Sequence, residues 1–585
     1  MSMFRLLLSK QIQIRASYRP FQKLPSVLNA NTHRFLATSS SGPSLKLDSN
    51  NIVSSSFPDV SGYDNLLVHE LVWTDMHKWS NKTALVCSAT GRSYTYHQLR
   101  KLTGRLATSL RKANLSPRDT VAVVLPNIPE YAIIVLAASE AGLRATLVNP
   151  MYTHIEVAKQ LKDSETSAVI TIPALYPLIK QSIQNNPHVK LPIIVVNDGS
   201  SQIPSDAIRF DDLVRDDIEE FSKNEKSIVT AEDDVYLPYS SGTTGLPKGV
   251  QLSHRNIVAN LTQVGCPQLY PGVYTSETEQ DVIPMILPMF HIYGLTILLI
   301  GFLRMGAKLV CVPQFSVPEY MKILVNHKPT LLYLVPPIVQ MMAINEQITS
   351  RHVENVRLIV SGAAPIGEEF ISIFRKRVTD SANFIQGYGL TETSPAISLS
   401  KNAPSDSVGY IIPNTQIRIV KYEENGVSRN VGANEMGEIY IRGPQVMKGY
   451  FKNPQATKDS MDGDWFKTGD LGKVNEQGLL YIQGRFKELI KVKGFQVAPA
   501  ELEDIIRGLD KVQDVAVIGV SHEKFGEIPK AFIVPKKGVT ISADEIKDYV
   551  AKHVAEYKHL GYVQCIQQIP KSAAGKILRR ELQNI

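Results

Sequence analysis

From about residue 120 the chain alternates short apolar runs with helix-length segments, and this alternation restricts its fold more than any other feature. Residues 121–125 precede a helical stretch at 129–141, and 145–148 precede another at 154–163; 168–172 and 193–196 extend the series. A second set lies at 282–287, 308–312, 331–335 and 357–360, again separated by helix-length segments. Buried β runs that alternate with helices are the pattern of parallel sheets covered on both faces. After Pro413 the texture changes to short β runs with turns, at 416–420 and 438–442. After Gly484 a smaller α+β region is expected, with helices near 500–508 and 543–557 and β runs at 514–520 and 530–535. The expectation is an α/β protein. Its large N-terminal domain (48–484) carries two parallel βαβ-type sheets and a small β-barrel-like part, and a small α+β C-terminal domain (485–585) follows.

A net charge of +7 would suit a nucleic-acid or membrane partner, but its placement argues otherwise. Residues 1–47 hold Arg5, Lys10, Arg15, Arg19, Lys23, Arg34 and Lys46, and no acid precedes Asp48. Removing those seven from 63 basic residues leaves a body in which basic and acidic side chains are equal in number. The leading segment is Arg-bearing, Ser-rich and acid-free, with Met3, Phe4, Leu7, Leu8 and Ile12 at roughly helical spacing. Residues 1–47 therefore read as a mitochondrial transit peptide. The alternative is a basic tail on a cytoplasmic protein. Gln583-Asn584-Ile585 does not resemble a peroxisomal address, which makes that destination the weaker third.

Cys87, Cys266, Cys311 and Cys565 are scattered, with no pair at metal spacing, as expected of buried thiols in a reducing compartment. The apolar stretch at 286–303 is interrupted by Pro288, His291 and Gly294, so it reads as strand, turn and buried helix, and no membrane span is expected.

Chemistry is concentrated at Tyr239-Ser-Ser-Gly-Thr-Thr-Gly-Leu-Pro-Lys248. Gly242 and Gly245 let main-chain N–H groups approach an anion, Ser240, Ser241, Thr243 and Thr244 add donors, and Lys248 adds positive charge. This is a phosphate-holding loop, but not Gly-x-x-x-x-Gly-Lys-Ser/Thr. Further blocks follow in order: Pro288-Met-Phe-His291-Ile-Tyr293, Ser361-Gly-Ala-Ala-Pro365, Gln386-Gly-Tyr-Gly-Leu-Thr-Glu392, Lys467-Thr-Gly-Asp470, Gly484-Arg-Phe-Lys487 through Lys491-Val-Lys493-Gly-Phe-Gln496, and Pro570-Lys-Ser-Ala-Ala-Gly-Lys576. Together they resemble the acyl-adenylate-forming superfamily, in the branch of 4-coumarate–CoA ligases and luciferase-like acyl-CoA synthetases. Neither Gly-x-Ser-x-Gly nor His-Glu-x-x-His occurs, against a conventional hydrolase.

The resemblance implies an enzyme with ATP, Mg²⁺, coenzyme A and a small carboxylic acid as reactants, and no nucleic-acid partner. The carboxylate would attack the α-phosphate of ATP to give an acyl-adenylate and pyrophosphate; coenzyme A would then displace AMP. It implies that Ser240, Ser241, Gly242, Thr243, Thr244 and Lys248 hold phosphates. Gln386, Gly387, Tyr388 and Thr391 would contact the nucleotide, with Tyr388 stacking on adenine, and Asp470 and Arg485 would bind ribose. Glu392 would be the metal ligand and Lys576 the main catalytic cation of adenylation, with His291 gating the acyl site. Tyr293, Gly362, Ala363, Gly387, Pro395 and Ala396 would line the acyl tunnel beside His291. The C-terminal domain would be mobile about Lys487; Lys491 and Gln496 would assist catalysis, and Lys493 and Gly494 would meet coenzyme A. Lys487 and Lys491 also count among the nucleotide contacts. An aryl-propenoic or a medium- to long-chain fatty acid fits equally. A luciferase-type oxidase and a carrier-protein-loading ligase are the competing readings.

Overall fold

The computed structural model describes residues 44–585 except 185, 200, 222–228, 241–246, 270–271, 365, 400–401, 424–427, 486–487, 493–494, 523–524, 555 and 573–574. Side chains 369, 491, 495 and 496 are likewise outside the description.

The first alternating series becomes one sheet. Its order is Gly449–Tyr450, Lys248–Ser253, Asp234–Ser240, Arg144–Leu147, Thr120–Val123, Thr166–Thr171, Ile194–Val195, Ile208–Arg209. It is parallel from Asp234–Ser240 onward, and the other two strands are antiparallel additions. Helix Glu130–Glu140 is buried at every residue, as its nearly all-apolar circumference requires. It packs against the amphipathic helix Tyr96–Lys112, which Thr95 caps through the Gln98 N–H.

The second series divides. Val282–Met285 and Lys308–Cys311 join Thr83–Cys87 in a parallel ladder edged by Ser93–Thr95. Leu331–Leu334 and Leu358–Ser361 instead join Asn383–Gln386 in a separate parallel ladder. Thr83–Cys87 lies upstream of the run where the alternation begins, so it escaped the periodic reading. The apolar stretch beyond Met285 forms a turn and then the π-type helix Tyr293–Ile300, continued by Gly301–Arg304. Among the described residues no helix is long and apolar enough to cross a membrane.

The β-rich part is an eight-stranded antiparallel sheet that includes Gln416–Tyr422, Gly437–Arg442, Trp465–Val474 and Leu480–Arg485. Lys46–Leu47 pairs with Ile52–Ser54, which pairs with Gln416–Tyr422, so the start of the described chain is stitched into this distant sheet.

A five-stranded sheet of its own begins at Ile490–Val492 and carries Phe495–Val497, Val512–His522, Gly526–Pro535 and Tyr562–Cys565. Helices Pro499–Arg507 and Ala543–Ala551 bury Leu502, Ile506, Ile546 and Val550 in its core. The second helix stops at Ala551, short of the expected 557; a separate 3₁₀ turn occupies Glu556–Lys558.

Candidate active site

A cavity of about 990 Å³ lies where the parallel strands end. Leu147, Tyr239 and Ser240 reach it from the first sheet, Tyr333 and Val360 from the three-stranded ladder, and Ser572 and Lys576 from the C-terminal region. Ligands in open α/β sheets collect at this carboxyl-end crevice because strand ends and loops leave polar backbone groups there.

One wall is acidic. Ser240 and Lys248 are cross-strand partners on either side of positions 241–247. The Ser240 hydroxyl donates to Glu392 Oε1 at 2.8 Å, and the Tyr450 hydroxyl donates to the same oxygen at 2.9 Å. The Lys248 ammonium lies 5.1 Å from the Tyr450 ring centroid. Tyr450 reaches this position because Gly449–Tyr450 adds a strand to Lys248–Ser253. Among the described residues no group of three or more His, Cys, Asp or Glu forms a metal cluster. A single hydrogen-bonded carboxylate fits Mg²⁺ that arrives with a nucleotide, since that ion keeps phosphate and water oxygens in most of its octahedral shell.

A second wall is built on a cross-strand pair. Asp470 faces Arg485 across adjoining strands, with Arg485 Nε 3.3 Å from Oδ1, and the Tyr388 hydroxyl donates to Oδ2 at 2.6 Å. Burial raises the Asp470 carboxyl above the ordinary carboxylate range, against the pull of Arg485. Thr391 lies beside this wall in the short 3₁₀ turn Thr391–Thr393.

Lys576 enters from a tight turn: the Ser572 N–H donates to Lys576 O at 2.8 Å, and the Lys576 N–H donates to Ser572 Oγ at 3.2 Å. Gly575 has φ +78°, and a Cβ there would also lie 3.0 Å from Pro337. Only glycine therefore lets the loop approach so closely. Burial, then Arg485, lowers the Lys576 ammonium to about 8, while Glu488, Asp470 and Glu392 pull the other way.

The remaining wall is apolar. Val264, Ile297, Tyr333, Val360, Ala396 and Leu399 line it together with His291, Tyr293, Gly362, Ala363, Gly387 and Pro395. Tyr293 meets Tyr333 edge-on at 6.3 Å. His291 Nδ1 accepts the Tyr293 N–H at 3.3 Å, and burial, then Lys576, lowers the imidazole to about 4. At neutral pH it is uncharged, with its proton on Nε2.

The sequence singled out most of these residues, and the fold brings them into one cavity. Asp470 and Gln386 are exceptions. Asp470 does not line the cavity itself but is bonded to Tyr388 and paired with Arg485, which do. The Gln386 amide donates to Ser405 O at 2.6 Å and to Ile366 O at 3.3 Å, so it braces two loops behind the wall. Ser241, Gly242, Thr243, Thr244, Lys487, Lys493 and Gly494 lie outside the described residues, as do the side chains of Lys491 and Gln496. The backbones of Lys491 and Gln496 pair across the hairpin of Ile490–Val492 and Phe495–Val497. The sequence reading missed Tyr450, Tyr333 and Ser572. A sheet-edge addition brings in Tyr450 and a strand end brings in Tyr333, neither of which leaves a local motif. Ser572 stood inside the quoted 570–576 block and passed as turn chemistry.

The family model for AMP-binding enzymes matches residues 72–451, and the one for the AMP-binding enzyme C-terminal domain matches 501–576. The chain belongs to the AMP-binding enzyme family. Its place is in the 4-coumarate–CoA ligase-like branch of the acyl-adenylate-forming superfamily. 4-Coumarate–CoA ligase 1 of Arabidopsis thaliana is 36% identical over 540 residues, covering 91% of this chain and 94% of the relative. 4-Coumarate–CoA ligase 1 of Petroselinum crispum is also 36% identical, over 91% and 96%. The ATP-bound MatB structure from Rhodopseudomonas palustris superposes with a TM-score of 0.77 at 26% identity, over 89% of this AMP-binding enzyme and 98% of MatB.

Proposed function

We propose that this AMP-binding enzyme is an ATP-dependent acid–CoA ligase. One observation carries the reading: a single cavity joins a hydrogen-bonded acidic wall, a wall of Tyr388 and Arg485 with Asp470 bonded behind them, the Lys576 ammonium and an apolar wall. In the first half-reaction a substrate carboxylate oxygen bonds to the α-phosphorus of ATP and the bond to pyrophosphate breaks. Both reactants are anions, so the chain's main task is to hold them together and neutralise charge. Asp470 would accept ribose hydroxyls, while Ser240, Lys248 and the loop between them would hold the phosphates. Glu392 would hold Mg²⁺, which when bound neutralises triphosphate charge. Lys576 would face the charge that develops at the α-phosphate. In the second half-reaction the coenzyme A sulfur bonds to the acyl carbon, AMP leaves, and the thiol proton is released.

His291, uncharged and wedged between the apolar wall and Lys576, would close the acyl compartment without adding charge to it. No charged side chain stands among the described residues of that apolar wall, which supports an acid with a neutral hydrophobic tail, aryl-alkenoic or fatty. The acid-free basic segment at the start of the chain supports delivery to mitochondria. The separate sheet that begins at Ile490 supports a domain boundary near 484–485.

A screen of carboxylic acids with ATP and coenzyme A, reading AMP and thioester together, tests the function. AMP and thioester in equal amounts is the expected result. AMP with oxygen uptake or light, or thioester formed only on a carrier protein, would replace the ligase reading.

A further inference from the structure

Tyr450 is tied to the acidic wall, yet the two half-reactions as written give it no part. The segment 445–450 is laced to the turn that carries Glu392. The Met447 N–H donates to Glu392 O at 2.8 Å, and the Ser394 hydroxyl donates to Gln445 O at 2.9 Å. Three residues beyond Met447, the Tyr450 hydroxyl reaches the other end of the same glutamate and donates to Oε1 at 2.9 Å. One segment therefore fixes both the backbone and the carboxylate of Glu392.

Tyr450 is itself held in place. It pairs with Val250 across adjoining strands, and the Phe451 N–H beside it donates to Gly249 O at 2.8 Å. Its own N–H donates to Thr457 Oγ1 at 2.9 Å. Tyr450 is 9% exposed and Glu392 7%, so the bond between them has little water to compete with it.

The other donor to this carboxylate, the Ser240 hydroxyl, takes the same oxygen, Oε1, at 2.8 Å. No described residue donates to Oε2. Two donors on one oxygen fix the plane of a carboxylate and leave lone pairs on the second oxygen for another partner. Ligating carboxylates are commonly oriented by such outer hydrogen bonds. All the groups concerned, Ser240, Lys248, Glu392 and Tyr450, line the one cavity.

We infer that Tyr450 is a positioning residue of the triphosphate site: its hydroxyl pins Oε1 of Glu392 and leaves Oε2 for the Mg²⁺ that arrives with ATP. This rests on the reading of Glu392 as the metal ligand.

The test is Tyr450→Phe, which deletes the hydroxyl and keeps the ring beside Lys248. Calorimetric titration measures ATP affinity twice, in excess Mg²⁺ and in EDTA. Loss of an outer hydrogen bond to a metal ligand costs about 10- to 100-fold in metal affinity. Ser240 still holds Oε1, so the lower figure applies: the Kd for MgATP should rise about ten-fold. The Kd for ATP in EDTA should stay within about two-fold, because without the metal the carboxylate has nothing to present. Glu392→Gln should also weaken MgATP binding, and the double variant should bind MgATP no more weakly than Glu392→Gln alone. Equal losses with and without Mg²⁺, an unchanged MgATP affinity, or losses that multiply in the double variant would each overturn the proposal. So would a lower Tm with weaker binding in both titrations, the behaviour of a mere structural brace. Glu392→Gln separates the two layers: if it binds MgATP like the wild type, the reading of Glu392 fails, whatever Tyr450→Phe does.

Discussion

Asp470→Asn is expected to cost the enzyme its nucleotide while leaving its fold as stable as before. Asp470 is 5% exposed, accepts from the Tyr388 hydroxyl at 2.6 Å and lies 3.3 Å from Arg485. Burial nevertheless raises its carboxyl above the ordinary range, which means the folded protein holds the proton more tightly than the unfolded chain does. The sign follows by linkage: as pH climbs from the unfolded value through the raised one, the folded state loses stability, and at neutral pH the charge is a net cost. An amide removes that cost and still accepts the Tyr388 bond. Arg485 loses its countercharge but borders the cavity, where water reaches it. In binding, by contrast, the acceptor proposed for two ribose hydroxyls loses its charge. At about 1.5–3 kcal/mol for a hydrogen bond to a charged group, the loss is about 10- to 150-fold in MgATP affinity. Calorimetric titration with MgATP reads the affinity, and thermal unfolding of the apo-protein reads the stability. Expected are a Kd raised at least about ten-fold and a Tm within about 2 °C of the wild type. A Tm that drops sharply with affinity unchanged would refute the reasoning, since Asp470 would then be a brace between Trp465–Val474 and Leu480–Arg485.

Three other outcomes are expected. Glu392→Gln removes the one carboxylate of the acidic wall, and the Mg²⁺ concentration for half-maximal activity should rise about ten-fold or more, read by magnesium titration of AMP formation. In Gly362→Ala the new Cβ would lie 3.2–3.3 Å from the Tyr293 ring and hydroxyl. Bulky acids should lose about ten-fold in kcat/KM while short acids are spared, and an equal loss for both would place Gly362 outside the acyl compartment. Residues 1–47 fused to a fluorescent reporter should direct it to mitochondria, and a diffuse cytosolic signal would remove that assignment.

The parallel sheets were legible because strands such as Thr120–Val123 and Thr166–Thr171 are buried on both faces and contain the apolar runs that begin at Val121 and Ala168. What the runs could not convey was partnership. Leu309 sits beside Leu85, more than two hundred residues upstream, while Leu331 sits beside Leu358. Register of that kind depends on non-local packing. The polar half of the site was legible for a different reason: charge held near a nucleotide needs particular residue types at fixed spacing, as in Lys467-Thr-Gly-Asp470. Gln386 shows the limit of that logic. It stands in the motif beside Tyr388, yet strand Asn383–Gln386 turns its amide toward Ser405 and Ile366. The ion pairs of Arg579 with Glu503 and Glu488 had no signature either, because these residues are distant in sequence and each alone looks like a surface charge.

Strand Ile52–Ser54 pairs locally with Lys46–Leu47 on one edge, but its other edge meets Gln416–Tyr422, and Gln416 Nε2 donates to Ser54 Oγ from 362 positions further along the chain. At synthesis rates of about 5–20 residues per second, this strand waits about 20–70 s for the other half of its ladder. Throughout that interval the backbone donors and acceptors of that second edge are unspent, and any chain emerging nearby can take them. The same delay recurs if the polypeptide is threaded through a membrane with its first residues leading. The stretch just behind the basic segment 1–47 is therefore where a holding chaperone has most to do, and shortening the protein from its far end would leave the second edge of that strand permanently unmatched.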